Sequence, residues 1–485
     1  MNKVVINDFA PLADKYARVS VQESTPCQSI GDLLNINKRE LINYASLTGQ
    51  GINLLDFDLE LAEEGDNIGY VSSACSDHLK NFETPIVIYI NFDDAEGSFF
   101  SAPGITFHFW KNYCTKMTVE WWHSTDSGIE VISRKEIYPT SLDYYFENPV
   151  EEFNFIKIEF EKTEVPHQFV KLAGIDLGRV REITDFHSNI EIFSEISPDC
   201  TDVPASTCDF IAEITDFKPQ NMQELYVYGG KEEKLFGKFT IDRVPAIGKN
   251  IYSFECSDEI MTINNTPFPK KPQSVILSQN LVAEIEENAN VYIECTDNSD
   301  IQLTGFIEEK QNARTAAAMV SFATGSFLTG FGSRFLRFLK PKNRKSKIIS
   351  SSQILGRAEY TTVKAYSNIT VNQYKENFDV VFNSRTVKNP SRKAYEIGNQ
   401  LLCDQYSMMS DIDKKMQELT EAGFQPNEIT ARIIYSDEAP GDICGIETPY
   451  DGLKTGIIKN LAISIGHRIT ATVKMIERNF ASDEE

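Results

Sequence analysis

Gly104-Ile-Thr-Phe-His-Phe-Trp110, Met117-Thr-Val-Glu-Trp-Trp122, Phe153-Asn-Phe-Ile-Lys-Ile-Glu-Phe160 and Phe169-Val-Lys-Leu-Ala-Gly-Ile-Asp-Leu177 decide the fold class. In each run apolar and polar residues alternate, the two-residue period of a strand with one buried face. Ile105, Phe107 and Phe109 fall on one side of the first run, with Thr106, His108 and Trp110 on the other. Met117, Val119 and Trp121 face inward in the second, and Ile156, Ile158 and Phe160 in the third. These runs predict an antiparallel β-sandwich between residues 66 and 178, with Gly174 and Gly178 marking its exit.

Without a linker, the chain then enters a second strand series: Arg181 to Asp185, Asn189 to Ile196, Cys208 to Ile214, Glu224 to Tyr228, Leu235 to Arg243 and Ile251 to Cys256. Gly229-Gly230 sits between two of these runs, where adjacent glycines tolerate the positive φ of a hairpin turn. A third series, Glu428 to Tyr435, Asp442 to Thr448, Leu453 to Asn460 and His467 to Ile476, closes the chain. Between these series the composition predicts helices at Ser274 to Glu287 and near Asn312. A longer helix is predicted over Pro390 to Gly423, with Asn389 as cap and Pro390 at the first position. Near the N-terminus, Ser29 to Asn43 predicts a short helix and Asp56 to Asp66 an acidic loop. The expected fold class is mainly β and multidomain, with small α/β elements bridging antiparallel β-domains. The expected segments are 1–65, 66–178, 179–262, 263–375, 376–480 and 481–485.

Composition narrows the function classes. At 485 residues, several cores are expected. A net charge of −24 and a pI near 4.8 oppose a main role in gripping DNA or anionic membrane. Nine widely spaced cysteines without a C-x-x-C pair predict reduced thiols in a protein folded in a cytoplasm. Met1 to Ala10 lacks the apolar core of a secretory signal.

Catalytic patterns are not found. Six scattered histidines, His78, His108, His123, His167, His187 and His467, form no H-E-x-x-H and no close Cys/His set. There is no G-x-S-x-G elbow and no phosphate-binding glycine loop. Acidic pairs such as Asp56/Asp58, Asp93/Asp94 and Asp411/Asp413 are expected by chance among 71 acidic residues, so neither a metal nor a cofactor is assigned.

Two clusters remain as binding candidates. Trp122, opposite in direction to Trp121, together with His123 and a loop-like Tyr144-Tyr145, offers aromatic faces and polar tips for a sugar ring; packing against a neighbouring subunit is the favoured reading. Lys310 to Ala358 contains no acidic residue, and its second half carries Arg334, Arg337, Lys340, Lys342, Arg344, Lys345 and Lys347. The uncharged Thr315 to Ser333 is near the length of a membrane span, but its glycines make it weakly hydrophobic, and no stable membrane insertion is expected. A helix and strand followed by a basic loop is favoured. Contact of that loop with acidic partners or passing DNA is the competing reading.

The order of these blocks resembles the hub or tail-tip proteins of phage tail baseplates. The matching stretches are Ile68-Gly-Tyr-Val-Ser-Ser73, Gly104 to Phe109 and Val170 to Gly178, similar to a galactose-binding-like sandwich. They continue with Leu225 to Asp242, Tyr252 to Cys256, Pro440-Gly-Asp-Ile443 through Thr448-Pro-Tyr450, Gly456-Ile-Ile458 and Ile469-Thr-Ala-Thr-Val473. The resemblance implies a homotrimer whose two β-domains per chain, about 180–262 and about 376–478, make a pseudo-sixfold ring. Its implied partners are the tail tube, distal tail and other baseplate proteins, the tape measure protein, a candidate host cell-wall glycan, and DNA in transit. It also implies a place in the virion tail after synthesis in the bacterial host's cytoplasm. No hydrolase is expected in residues 1–485, so cell-wall cleavage would belong to another protein. A peripheral receptor-binding protein for surface glycans and a carbohydrate-active enzyme are the alternatives, and a tail-like bacteriocin or injection particle would use the same part.

Overall fold

The computed structural model describes residues 2–11, 13–21, 70–92, 99–110, 112–125, 128–295, 301–308, 311–340, 347–362, 368–374, 380–386, 394–403, 427–448 and 452–477. The expected helix at Ser29 to Asn43, the acidic loop, and the pairs Asp56/Asp58, Asp93/Asp94 and Asp411/Asp413 lie outside these residues. The protein is mainly β and multidomain. Its chain forms two compact units, Ile6–Arg181 and Met1–Val5 with Glu182–Glu485.

The Ile6–Arg181 unit holds two sheets. Strands β1 (Lys3–Phe9) and β11 (Gly178–Ile183) lead the chain in and out of it. One sheet has the order β2 (Ala17–Val21), β4 (Asn81–Phe92), β9 (Phe155–Thr163), β6 (Cys114–Thr125) and β7 (Gly128–Ile137). The other runs β3 (Tyr70–Cys75), β10 (Phe169–Asp176), β5 (Phe100–Phe109) and β8 (Asp143–Phe153). The expected alternation is what fills the core. Ile105, Phe107, Met117, Val119, Trp121, Ile156, Ile158 and Phe160 are all fully buried in one apolar cluster, with the Trp121 ring edge-on to Phe153 at 4.7 Å. Burying such large side chains contributes about 1.5–3 kcal/mol each, which fixes the register, because a one-residue slip would turn the whole set to water.

Two sequence expectations are corrected in this unit. Tyr144 and Tyr145 are not in a loop but in β8, whose ladder with β5 includes Phe107↔Tyr144 and Thr106↔Tyr145. The run Phe153 to Phe160 is not one strand: it breaks at Asn154, whose amide side chain bonds the main chain of Ser124 at both ends.

In the other unit, β12 (Ile190–Glu195), β13 (Thr207–Glu213), β14 (Glu224–Gly229), β15 (Lys234–Arg243), β16 (Ala246–Gly248) and β17 (Ile251–Ser257) are followed by β18 (Lys271–Leu277), β19 (Ile293–Glu294) and β20 (Gln302–Ile307). Then come β21 (Phe327–Thr329), β22 (Leu336–Leu339), β23 (Lys347–Ile349), β24 (Glu359–Thr362), β25 (Asn368–Tyr374), β26 (Val380–Thr386) and β27 (Ala394–Cys403). The last four are β28 (Asn427–Ile434), β29 (Ile443–Thr448), β30 (Gly452–Ile465) and β31 (Ile469–Glu477). The main sheet of this unit runs β14-β15-β17-β13-β12-β30-β31-β28-β24, with β16, β23 and β29 off that path. The β14–β15 hairpin forms across Gly229 and Gly230 as expected.

The helix at Ala313–Thr324 starts where the sequence placed it, because the Asn312 side chain accepts the Thr315 N–H at 2.8 Å, and it ends at Gly325 in left-handed conformation. Ala316, Ala317 and Val320 are fully buried in a cluster with Leu281, Val282 and Ile285 of the Ser278–Ala289 helix. Among the described residues, no helix is long and apolar enough to cross a membrane.

The helix expected from Ser274 begins instead at Ser278, since Ser274 to Leu277 pair with β20, where the β-branched Val275 and Ile276 suit a pleated ladder. The long helix expected over Pro390 to Gly423 is also corrected. Residues 394–403 are strand β27, paired in parallel with β25 from Asn368↔Ala394 to Asn372↔Gly398, and the rest lies outside the described residues. Helical propensity there yields to ladder bonds supplied by distant neighbours. Buried Asn399 stitches the strand further, donating to the Met319 carbonyl at 2.9 Å and accepting the Leu401 N–H.

Lys238 is a buried cation in β15, 2.7 Å from Glu224 and 2.9 Å from Glu259. Replacing it with methionine removes the cation held against Glu259, which is 14% exposed. A loss of about 2–3 kcal/mol is expected in urea titrations, because a close ion pair in a desolvated site is broken from one side.

Candidate functional site

The four sugar-site candidates do not come together. Trp122 lies half-buried on the outer face of β6, edge-on to Phe155 at 6.0 Å, with Tyr89 on the far side of Phe155 at 5.8 Å. Its Nε1 is buried with no hydrogen-bond partner among the described residues, so that edge offers nothing to a hydroxyl. His123, the next residue, turns to the other face. Its Nδ1 is 2.8 Å from the Glu152 carbonyl and its ring stacks on Phe99 at 4.2 Å. Tyr144 and Tyr145 lie on the other sheet at the opposite end of β8 from Glu152, about 25 Å away at 3.3 Å per residue. Tyr144 packs on the core, while the Tyr145 hydroxyl donates to the Pro103 carbonyl at 3.1 Å beneath the Arg179 guanidinium, 4.9 Å from its ring.

Of the basic candidates, Lys342, Arg344 and Lys345 lie outside the described residues. Arg334 is exposed and Lys340 half-buried. Arg337 donates to the Phe331 carbonyl at 3.0 Å, which ties it to its own turn. Lys347 bonds Asp437 at 3.1 Å, and Lys234 reaches the same carboxylate as well as the Tyr435 hydroxyl at 2.8 Å. These two lysines hold the Asp437 carboxyl below its ordinary range against the opposing effect of burial. Lys347 is therefore a tie between β23 and the turn after β28.

The broad surface of the main sheet is more informative than either cluster. Strand β12 pairs with β30 along six residues, Ile190↔Ile465 to Glu195↔Asn460. This seam joins the strand set of residues 190–257 to that of residues 427–477 in one continuous sheet. An open depression of about 700 Å³ lies on the first set, lined by Glu191, Asp209, Asp242 and Glu255. Glu191, Asp209 and Glu255 are directly opposite one another on three neighbouring strands. Partial desolvation, then Glu255 and Asp242, raise the Asp209 carboxyl above its usual range. Like charges facing across a ladder are unfavourable, so Asp209→Asn is expected to stabilise the protein by about 0.5 kcal/mol in thermal or urea unfolding.

Sequence reasoning missed one constellation. His108, read only as a polar-face residue, lies between Asp143 and Asp176, with Nδ1···Oδ1 2.6 Å and Nε2···Oδ2 2.8 Å. Its alternation was legible, but the two strands that flank it are fixed only by the sheet order. Among the described residues, no group of three or more His, Cys, Asp or Glu side chains is arranged to hold a metal ion.

No family model matches the chain, and no curated protein matches it in sequence. Solved structures similar to it include the tail protein from Neisseria meningitidis MC58, at 10% identity and TM-score 0.46, over 62% of this chain and 94% of that one. The prophage tail protein gp18 from Listeria monocytogenes EGD-e is similar at 12% identity and TM-score 0.45, over 61% and 91%. The 43 kDa tail protein of prophage MuSo2 from Shewanella oneidensis is similar at 11% identity and TM-score 0.44, over 61% and 95%.

Proposed function

We propose that the chain is a structural, non-enzymatic component of a phage or phage-like tail, acting as the hub of a baseplate or tail tip. The observation that carries this reading is the β12–β30 seam, which makes one extended wall from two strand sets distant in sequence. A ring element needs broad, stiff surface rather than a few convergent catalytic groups. Three copies, each contributing β-domains at about 180–262 and about 376–478, would set six modules around an axis and match a sixfold tail tube. In this reading the neighbours are tail tube, distal tail and tape measure proteins. The net charge of −24 suits a passage through which DNA slides without being held. The Ile6–Arg181 unit, a galactose-binding-like sandwich, serves as a brace for peripheral proteins.

Native mass spectrometry and light scattering of the full chain at tens of micromolar test the assembly, with a trimer expected. A strict monomer, or tail particles lacking this chain, would overturn the proposal. The alternative of a peripheral receptor-binding protein has one observation in its favour, the outer aromatic group of Trp122, Phe155 and Tyr89. Under the hub reading Trp122→Ala leaves binding to a wall-glycan array unchanged. Loss of such binding with assembly intact would move the function to the sandwich, and turnover of wall polysaccharide would make it enzymatic.

A further inference from the structure

In the four-stranded sheet, β5 lies between β10 and the edge strand β8. From the middle of this arrangement the His108 ring reaches in both directions, to Asp143 at 2.6 Å on β8 and to Asp176 at 2.8 Å on β10. An ionised carboxylate only accepts hydrogen bonds, so both ring nitrogens must carry a hydrogen for both contacts to be bonds. The ring that satisfies this geometry is the imidazolium. We propose that His108 is the pin of a protonation-controlled clasp that ties β8 and β10 to β5, closed when the ring is charged and released on the Asp143 side when it is neutral.

The order of release follows from burial. Asp176 is 20% exposed and Asp143 78% exposed, so leaving Asp176 without a donor costs more. A neutral ring therefore keeps its hydrogen at Nε2, toward Asp176, and turns a lone pair at Nδ1 toward Asp143. Asp143 then moves into water. It is the first residue of an edge strand, so opening there breaks no ladder on the far side. The backbone bond from the Phe109 N–H to the Leu142 carbonyl, 2.8 Å, is the next to loosen.

Other charged groups on the packed strands lie further along them or are engaged elsewhere. On β8, Glu147 sits opposite Gly104, four residues along β5 from His108, and Glu151 and Glu152 lie further on. On β10, the Lys171 ammonium is over the Trp110 ring at 5.5 Å. The phenols are Tyr144, packed on the core, and Tyr145, bonded to Pro103 under Arg179. Burial alone would lower the His108 pKa; the hydrogen bonds and charges of Asp176 and then Asp143 outweigh it, and the net shift is upward. A folded-state value above the ordinary 6.5 means that the clasp contributes fully below that pH and is lost as pH rises through the folded value.

The test uses the full chain. All three tryptophans, Trp110, Trp121 and Trp122, lie in the Ile6–Arg181 unit, so tryptophan fluorescence follows the unfolding of that unit in urea. Wild type is expected to lose midpoint concentration between pH 6.5 and 9, while His108→Gln shows a flatter profile and Asp143→Asn a reduced slope. With histidine labelled by ¹⁵N, one of the six rings should show both nitrogens protonated at pH 6.5, titrate above 6.5, and disappear in His108→Gln. Amide protection at Asp143 and Tyr144 should fall over the same interval beyond the intrinsic pH dependence of exchange. Titration of His108 at or below 6.5, or identical pH profiles in wild type and His108→Gln, overturns the proposal. Should His108→Gln not fold, the wild-type titration, with the ring assigned through Asp143→Asn, decides alone.

Discussion

Gly441→Ala is expected to destabilise the Met1–Val5 and Glu182–Glu485 unit by about 3–5 kcal/mol, combining a left-handed backbone with overpacking of a filled core. Ala439-Pro440-Gly441-Asp442 is a tight turn closed by the Asp442 N–H to the Ala439 carbonyl at 3.1 Å, with Gly441 at φ +86°. Proline then glycine at the two central positions is the type II pattern. A methyl group on Gly441 would stand 2.0 Å from Cζ of Phe327, a ring that is 1% exposed and packed with Ile196 and Ile457. Because that backbone also donates from Gly441 to the Ile458 carbonyl at 2.8 Å, the turn cannot retreat without losing β30. Far-UV circular dichroism in urea should show the earlier midpoint while the tryptophan transition of the other unit stays in place. Adding Phe327→Leu to Gly441→Ala should recover part of the loss. An unchanged midpoint for Gly441→Ala would show that the turn yields freely.

Arg181→Leu is expected to cost about 3–5 kcal/mol in the Ile6–Arg181 unit, because it removes the guanidinium held against the buried Asp8 carboxylate. The Arg181 Nε is 2.6 Å from Asp8 Oδ2, and the side chains are 7% and 3% exposed. Nearby, β11 begins at Gly178, φ +145°, where an added Cβ would lie 1.9 Å from the Asp8 carbonyl oxygen. The Gly178 carbonyl in turn accepts from the Thr106 hydroxyl. Asp8→Leu combined with Arg181→Leu should be less damaging than the sum of the two single changes, since the buried carboxylate and its cation are then removed together. Additive losses, read by tryptophan fluorescence, would mean that the pair does not act as a pair.

These two sites differ in how much of them could be read in advance. Pro440-Gly441 announces its turn locally, since proline fixes φ and glycine accepts its positive sign. The Phe327 ring that makes Gly441 intolerant comes from more than a hundred residues earlier, and no local pattern points to it. Asp8 and Arg181 are distant too, and residues 3–9 were not foreseen as a strand although Val4, Ile6 and Asp8 alternate with half-buried neighbours. Seven residues of alternation are a weak signal until a partner strand exists. The candidate aromatic residues are dispersed for the same reason. Trp122 has the expected strand alternation and Tyr145, expected in a loop, is in a strand of the other sheet, so sheet membership separates them, while His123 follows its own alternation away from Trp122.

What the sequence determined by itself is local and periodic. Alternation placed Ile105, Phe107, Trp121, Ile158 and Phe160 in a core, and Asn312 marked the start of a helix, because side-chain direction and capping depend on neighbours within a few residues. Only the tertiary structure decided that residues 394–403 extend as a strand beside β25, that β12 and β30 join two strand sets into one wall, and that His108 lies between two carboxylates. Each of these depends on ladder bonds or charges supplied from elsewhere in the chain, and such partners can override local propensity.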